Sequence, residues 1–245
     1  MILPLTPSLK NYDWGKIGSQ SLAGKLSGLS LEEKTPYAEL WFGAHPSNSS
    51  TVQVDGMTIS LADLISRSGD VFLGESCKKR FGSKLPFLLK VLSIDKPLSI
   101  QAHPDKGLAA KLHSMSPEHY PDDNHKPEIA MALSEAELLY GFRRPEEFAA
   151  LAEERPPLKS LVVDGLTEDL QRSWLKLVAL SPSEREKLVK DLVSLVGALD
   201  KKTPEDRWFE NASKEFSHSD PGLLAFYLLS PVSYTHLTLP TILLV

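Results

Sequence analysis

A single cysteine, Cys77, stands in the 245 residues, so no intrachain disulfide can form, which fits a reducing compartment. Neither sign of charge dominates: 27 Lys+Arg against 32 Asp+Glu give a net charge of -5. Without a basic run there is no surface built to hold nucleic acid or an anionic membrane. No apolar stretch approaches the roughly 20 residues that span a bilayer. The start, Met1–Leu5, is short, uncharged in side chain and broken by Pro4, so no signal peptide is read there. Internal repeats and low-complexity segments are absent too. These absences point to a cytoplasmic protein that binds neither nucleic acid nor membrane, and it is expected to be a monomer. At 42% hydrophobic and 24% charged, the chain can bury a sizeable core and divide into more than one domain.

What is present concentrates between Leu85 and Arg143, which holds four of the seven histidines. Two apolar runs, Phe87–Ile94 and Leu98–His103, read as buried strands. Side chains alternate faces along a strand, so Gln101 and His103 share one face while Ile100 occupies the other. That pair is either a hydrogen-bonded surface couple or two metal ligands. Glu128, whose backbone is restricted by Pro127, opens a third apolar run, Ile129–Leu133, and offers a third donor. His125 is a candidate for proton transfer, because an unperturbed imidazole titrates at about 6.5. Asp95 and Lys96 read as a turn, and His113 as a solvated residue of a short helix capped by Asp105. Earlier, Ser60 caps a short helix ending near Gly69. Glu39 and His45 flank the apolar Leu40–Phe42 and are left outside the metal shell.

From Pro145 the pattern turns helical. Pro145–Glu147 starts one helix, Thr167 begins another segment, and Ser181–Pro182–Ser183–Glu184 is a capping box. Behind that box Leu188, Leu192, Leu195, Val196 and Leu199 form one stripe. Thr203–Asp206 opens a further helix, and Leu223–Leu229 is apolar enough for one more. The end, Pro231–Val245, carries no Asp, Glu, Lys or Arg.

LPFLLKVLSIDKPLSIQAHPDK followed by YPDDNHKPEIAMAL closely resembles the type I phosphomannose isomerases. Similar blocks stand at Asn11–Gly15, Tyr37–Ser47 and Gly141–Arg143, so the resemblance is strong to Arg143, thins through Leu229 and then stops. It implies an α+β fold whose β part is a cupin-like jelly roll, incomplete here, with an inserted all-helical subdomain. The corresponding division is 1–144 for the catalytic part, 145–218 for the helices and 219–245 for a return segment with an atypical tail. The implied activity is zinc-dependent interconversion of mannose 6-phosphate and fructose 6-phosphate, with a small sugar phosphate as the partner. Gln101, His103 and Glu128 match the family's ligands to one Zn2+, whose fourth protein ligand, a downstream histidine, is not matched by His236. The resemblance places Lys126 and Lys90 in the cavity as catalytic groups, Ser99 and Lys126 near the phosphate, and Trp14 along the sugar. A non-enzymatic sugar- or metal-binding cupin is the alternative. The 245 residues are expected to be an incomplete, inactive copy.

Overall fold

The computed structural model describes residues 2–101, 103–120, 122–163 and 170–234, and the chain divides into two units, Met1–Leu98 and Ser99–Val245. In the first unit β1 (Leu5–Thr6), β2 (Ser8–Lys10), α1 (Leu22–Leu26), β3 (Glu39–Phe42), β4 (Thr51–Val54), β5 (Met57–Ser60), α2 (Leu61–Phe81) and β6 (Leu89–Leu92) follow in order. The strands make two antiparallel sheets, β1-β4-β5 and β2-β3-β6. Strand β3 is the spine of the second, with Leu40 and the preceding Ala38 fully buried. Asp55 and Gly56, both at positive φ (48° and 79°), make the two-residue β4–β5 turn that the right-handed twist of a hairpin favours.

The Asn11–Gly15 block ends in a glycine for a steric reason. Gly15 bridges Ile94, and a Cβ built on it would lie 2.5 Å from the Ala38 Cα and 2.6 Å from its nitrogen. Both neighbours are backbone and cannot swing aside. Gly15→Ala is therefore expected to lower the unfolding free energy by about 1–3 kcal/mol, the usual range for overpacking. An unchanged urea midpoint for the variant would contradict this account of the glycine.

Ser60 caps α2, its Oγ accepting from Asp63 N at 3.4 Å, but the helix does not end near Gly69. It runs on to Phe81 across two non-helical residues, Ser68 and Gly74. The continuation carries Phe72 and Leu73 into an apolar cavity also lined by Leu64, Ile65 and Phe87.

The second unit contains α3 (Lys106–Met115), β7 (Ala136–Phe142), α4 (Pro145–Glu154), α5 (Gln171–Ala179), α6 (Pro182–Gly197), α7 (Pro204–Glu215), α8 (Gly222–Leu228) and β8 (Leu229–Tyr234). The starts signalled by proline are observed: Pro145, Pro182 and Pro204 each open a helix, and Ser181 and Thr203 make capping boxes with Glu184 and Asp206. The segment expected from Thr167 begins outside the described residues; α5 starts at Gln171. One core joins the helices, with Phe148, Leu177, Leu188, Leu192, Phe209 and Tyr227 buried in it.

That core encloses an ion pair. Arg155 and Asp206 are 2% and 0% exposed, and the guanidinium donates twice to the carboxylate, Nε to Oδ1 at 2.8 Å and Nη2 to Oδ2 at 2.6 Å. The Tyr227 hydroxyl donates to Oδ1 at 3.0 Å and the Thr203 amide to Oδ2 at 2.9 Å. Every lone pair that burial strips of water is thus given a donor.

Of the two expected strands, Phe87–Ile94 contains β6, and Leu98–His103 is not formed. Residues 98–101 and His103 have no strand structure, and neither have residues 129–133. A strand exists only through its ladder, and Pro97 and Pro104 remove a donor at each end of the first stretch. The strand of this region is β7, antiparallel to β8, with Ala136 opposite Tyr234 and Phe142 opposite Leu229. Gly141, at φ 63°, lies where the register shifts, the position at which a bulge favours glycine. Arg143 N then donates to Leu228 O at 2.9 Å, and its Nη2 pairs with Glu205. Pro231 to Tyr234, the start of the uncharged tail, thus belong to β8; residues 235–245 lie outside the described set. Among the described residues no helix is long and apolar enough to cross a membrane.

Candidate metal centre and lysine platform

Gln101 lies in irregular backbone and His103 two residues before the capped start of α3, where Asp105 Oδ1 accepts from Leu108 N at 2.8 Å. The cap anchors the chain just beyond the imidazole. Strand parity is not what joins the pair, yet their side chains meet: His103 Nε2 is 3.5 Å from Gln101 Oε1. The same nitrogen is 4.0 Å from Glu128 Oε2. Two donors each about 2.1 Å from one tetrahedral ion stand about 3.4 Å apart, so the imidazole is spaced from the Gln101 oxygen as two ligands of one ion are, at 3.5 Å, while the Glu128 oxygen, at 4.0 Å, needs a small side-chain adjustment to join them.

Access fits as well, since the His103 side chain is 15% exposed while that of Glu128 is 56% exposed. The set is one amide oxygen, one imidazole nitrogen and one carboxylate oxygen, which suits zinc. Among the described residues no three His, Cys, Asp or Glu side chains cluster for a metal; this group contains two of those types and completes itself with an amide. Ser99, His125 and Lys126 are exposed, His125 and Lys126 on the chain leading through Pro127 to Glu128.

The first unit presents a second assembly. On β2-β3-β6 the register sets Lys10 opposite Glu39 and Trp41 opposite Lys90. Glu39 is buried, and its Oε2 accepts from Trp41 Nε1 and lies 3.2 Å from Lys90 Nζ. The Lys90 ammonium also stands 4.6 Å from the Trp41 ring centroid, and that of Lys10 4.5 Å, both within cation–π range. Tyr12 and Trp14 stack nearby in sequence, centroids 5.7 Å apart. Burial, helped by the Glu39 charge, raises the Tyr12 phenol.

The sequence model of phosphomannose isomerase type I, catalytic domain, matches residues 2–145. The chain belongs to the type I phosphomannose isomerase family. Among its relatives, mannose-6-phosphate isomerase of Ogataea parapolymorpha is 41% identical over 87% of this chain and 50% of its own length. That of Aspergillus fumigatus is 38% identical over 96% of this chain and 50% of its own. The chain thus spans about half the length of these curated relatives. Among solved structures, phosphomannose isomerase from Salmonella typhimurium is similar at 29% identity and TM-score 0.80, covering 96% of this chain and 61% of that one. A zinc-bound mannose 6-phosphate isomerase is similar at 28% identity and TM-score 0.81, covering 96% and 62%.

In this member of the family, sequence reasoning passed over Lys10 and Trp41 and set Glu39 aside. One signal was available: Glu39 and Trp41 are two apart on a short strand and so share a face. That Lys90 joins them depends on the pairing of β3 with β6, across about 50 residues of sequence.

Proposed function

We propose that this family member is, as part of its whole protein, a zinc-dependent aldose–ketose isomerase acting on mannose 6-phosphate and fructose 6-phosphate. The approach of both the Gln101 amide oxygen and a Glu128 carboxylate oxygen to the same His103 nitrogen, at 3.5 and 4.0 Å, carries the reading. It is supported by family membership and by a zinc-bound solved relative. Moving a proton between C1 and C2 of a sugar phosphate develops negative charge on oxygen, which must be stabilised as it forms. Zinc, when bound, supplies that stabilisation as a Lewis acid. The chain's own residues do the rest. Glu128 is the one anionic donor of the three, so ligation would leave one of the ion's two positive charges uncompensated. Lys126, two residues before it, brings an ammonium to the developing charge, and Lys90 supplies a second. His125 exchanges the proton, Ser99 donates its hydroxyl to the phosphate, and Trp14 packs against the sugar.

The parent fold in this reading is a cupin-like jelly roll in a cytoplasmic monomer. The deciding experiment uses the full-length protein and its Lys126→Met variant, measuring bound zinc and fructose 6-phosphate formed in a coupled assay. Zinc content is expected to be equal in the two, with turnover at least about tenfold lower in the variant, a barrier change of roughly 1.4 kcal/mol. Zinc binding without turnover in the parent protein would replace the enzyme with a metal-binding cupin.

A further inference from the structure

Lys90 is held by other groups before any substrate arrives. Its ammonium is 3.2 Å from Glu39 Oε2 and 4.6 Å from the Trp41 ring centroid, on a side chain 36% exposed. The oxygen it meets is the one that accepts from Trp41 Nε1. Glu39 is itself fixed, its side chain 11% exposed and its residue registered between Lys10 on β2 and Leu92 on β6. A four-carbon lysine stem is ordinarily free to sample many rotamers. Here a buried carboxylate and an aromatic face confine it, each fixing the other through the indole N–H.

We infer that Glu39, together with Trp41, is a positioning residue for Lys90, holding its ammonium at one place on the face of the β2-β3-β6 sheet. The inference rests on the reading of Lys90 as a catalytic group only for its functional meaning; the positioning stands on the geometry. It explains why a carboxylate is kept on a buried strand beside an apolar run, where an unpaired charge would be costly. Charged groups facing Lys90 from the neighbouring strands are accounted for: Glu39 attracts it, and Lys10, over the same ring, repels it, so loss of Glu39 leaves two like charges sharing one indole.

The test is competitive acetylation of lysines in residues 1–245, read by peptide mass spectrometry, with Lys84 and Lys106 as exposed references. In Glu39→Gln the Lys90 rate relative to the references is expected to rise about threefold, the scale of a partly exposed ion pair. Glu39→Asp should restore part of the protection. Trp41→Phe, which removes the indole donor but keeps a ring and the carboxylate, should give a smaller rise and serves if Glu39→Gln does not fold. Lys90 labelling unchanged in every folded variant overturns the inference. A second arm separates it from the functional reading: in the full-length isomerase Glu39→Gln should lower kcat about tenfold with KM nearly unchanged. Faster labelling with unaltered kcat would keep the positioning and remove Lys90 from the chemistry.

Discussion

Replacing His103 with alanine is expected to empty the metal centre and to lower isomerase turnover of the full-length protein by about three orders of magnitude, roughly 4 kcal/mol of barrier. The imidazole is the common neighbour: the amide oxygen of Gln101 and a carboxylate oxygen of Glu128 lie 3.5 and 4.0 Å from its Nε2. Removing it takes away the most enclosed donor of the three and leaves two oxygens, a set better suited to a hard cation than to zinc. His113 supplies the control. It lies on α3, partly buried, with Nδ1 2.6 Å from Tyr120 O, and His113→Ala should retain both zinc and turnover. Metal analysis after dialysis, alongside the coupled assay, decides the matter. A His103→Ala protein with a full equivalent of zinc would remove these residues from the metal site.

The second large effect concerns stability. Arg155→Ala is expected to cost about 3–5 kcal/mol, because it leaves the Asp206 carboxylate charged and buried without its partner. Burial alone pushes that carboxyl up; the Arg155 hydrogen bonds, the Thr203 amide and the guanidinium charge outweigh it and hold it at about 2, against 3.8 for a free aspartate. The folded value is depressed, so this contribution is fully present above about pH 4 and is lost as pH falls through the folded value near 2. By linkage it amounts to something on the order of 2 kcal/mol. Acid unfolding of the parent should therefore steepen between about pH 4 and 2, and an Arg155→Ala chain should lack that component. Equal slopes for the two in urea titrations across that window would show that the pair is not the acid-sensitive element.

What could be read from the sequence follows how local each signal is. Ser181 with Glu184, Thr203 with Asp206 and Asp105 before α3 each announce a helix within four residues, and the helices start there. The stripe behind Ser181 needs only the helical period to be seen, and its Leu188, Leu192 and Val196 are in the core. Strands are different, because alternation shows a face without showing a partner. Leu98–His103 had the pattern and not the ladder, whereas β7 was overlooked since β8 lies almost 90 residues on. At the candidate site, the residue types and the proline before Glu128 suffice to nominate Gln101, His103 and Glu128. The Glu39–Trp41–Lys90 arrangement is set by cross-strand register, which no local window contains.

The β7–β8 pairing also governs the order in which this unit can form. Ser230 Oγ donates to Phe142 O at 3.1 Å across 88 positions of sequence, and such closure costs chain entropy before any ladder bond returns it. Helices α4 to α8 shorten that search. They lie within that interval, and collapse of their shared core is expected to bring Leu228 to Arg143, leaving the two strands only to zip. The helical segment is thus expected to act as a folding template for the sheet beside it. Its sequence carries kinetic information for strands to which it contributes no residue.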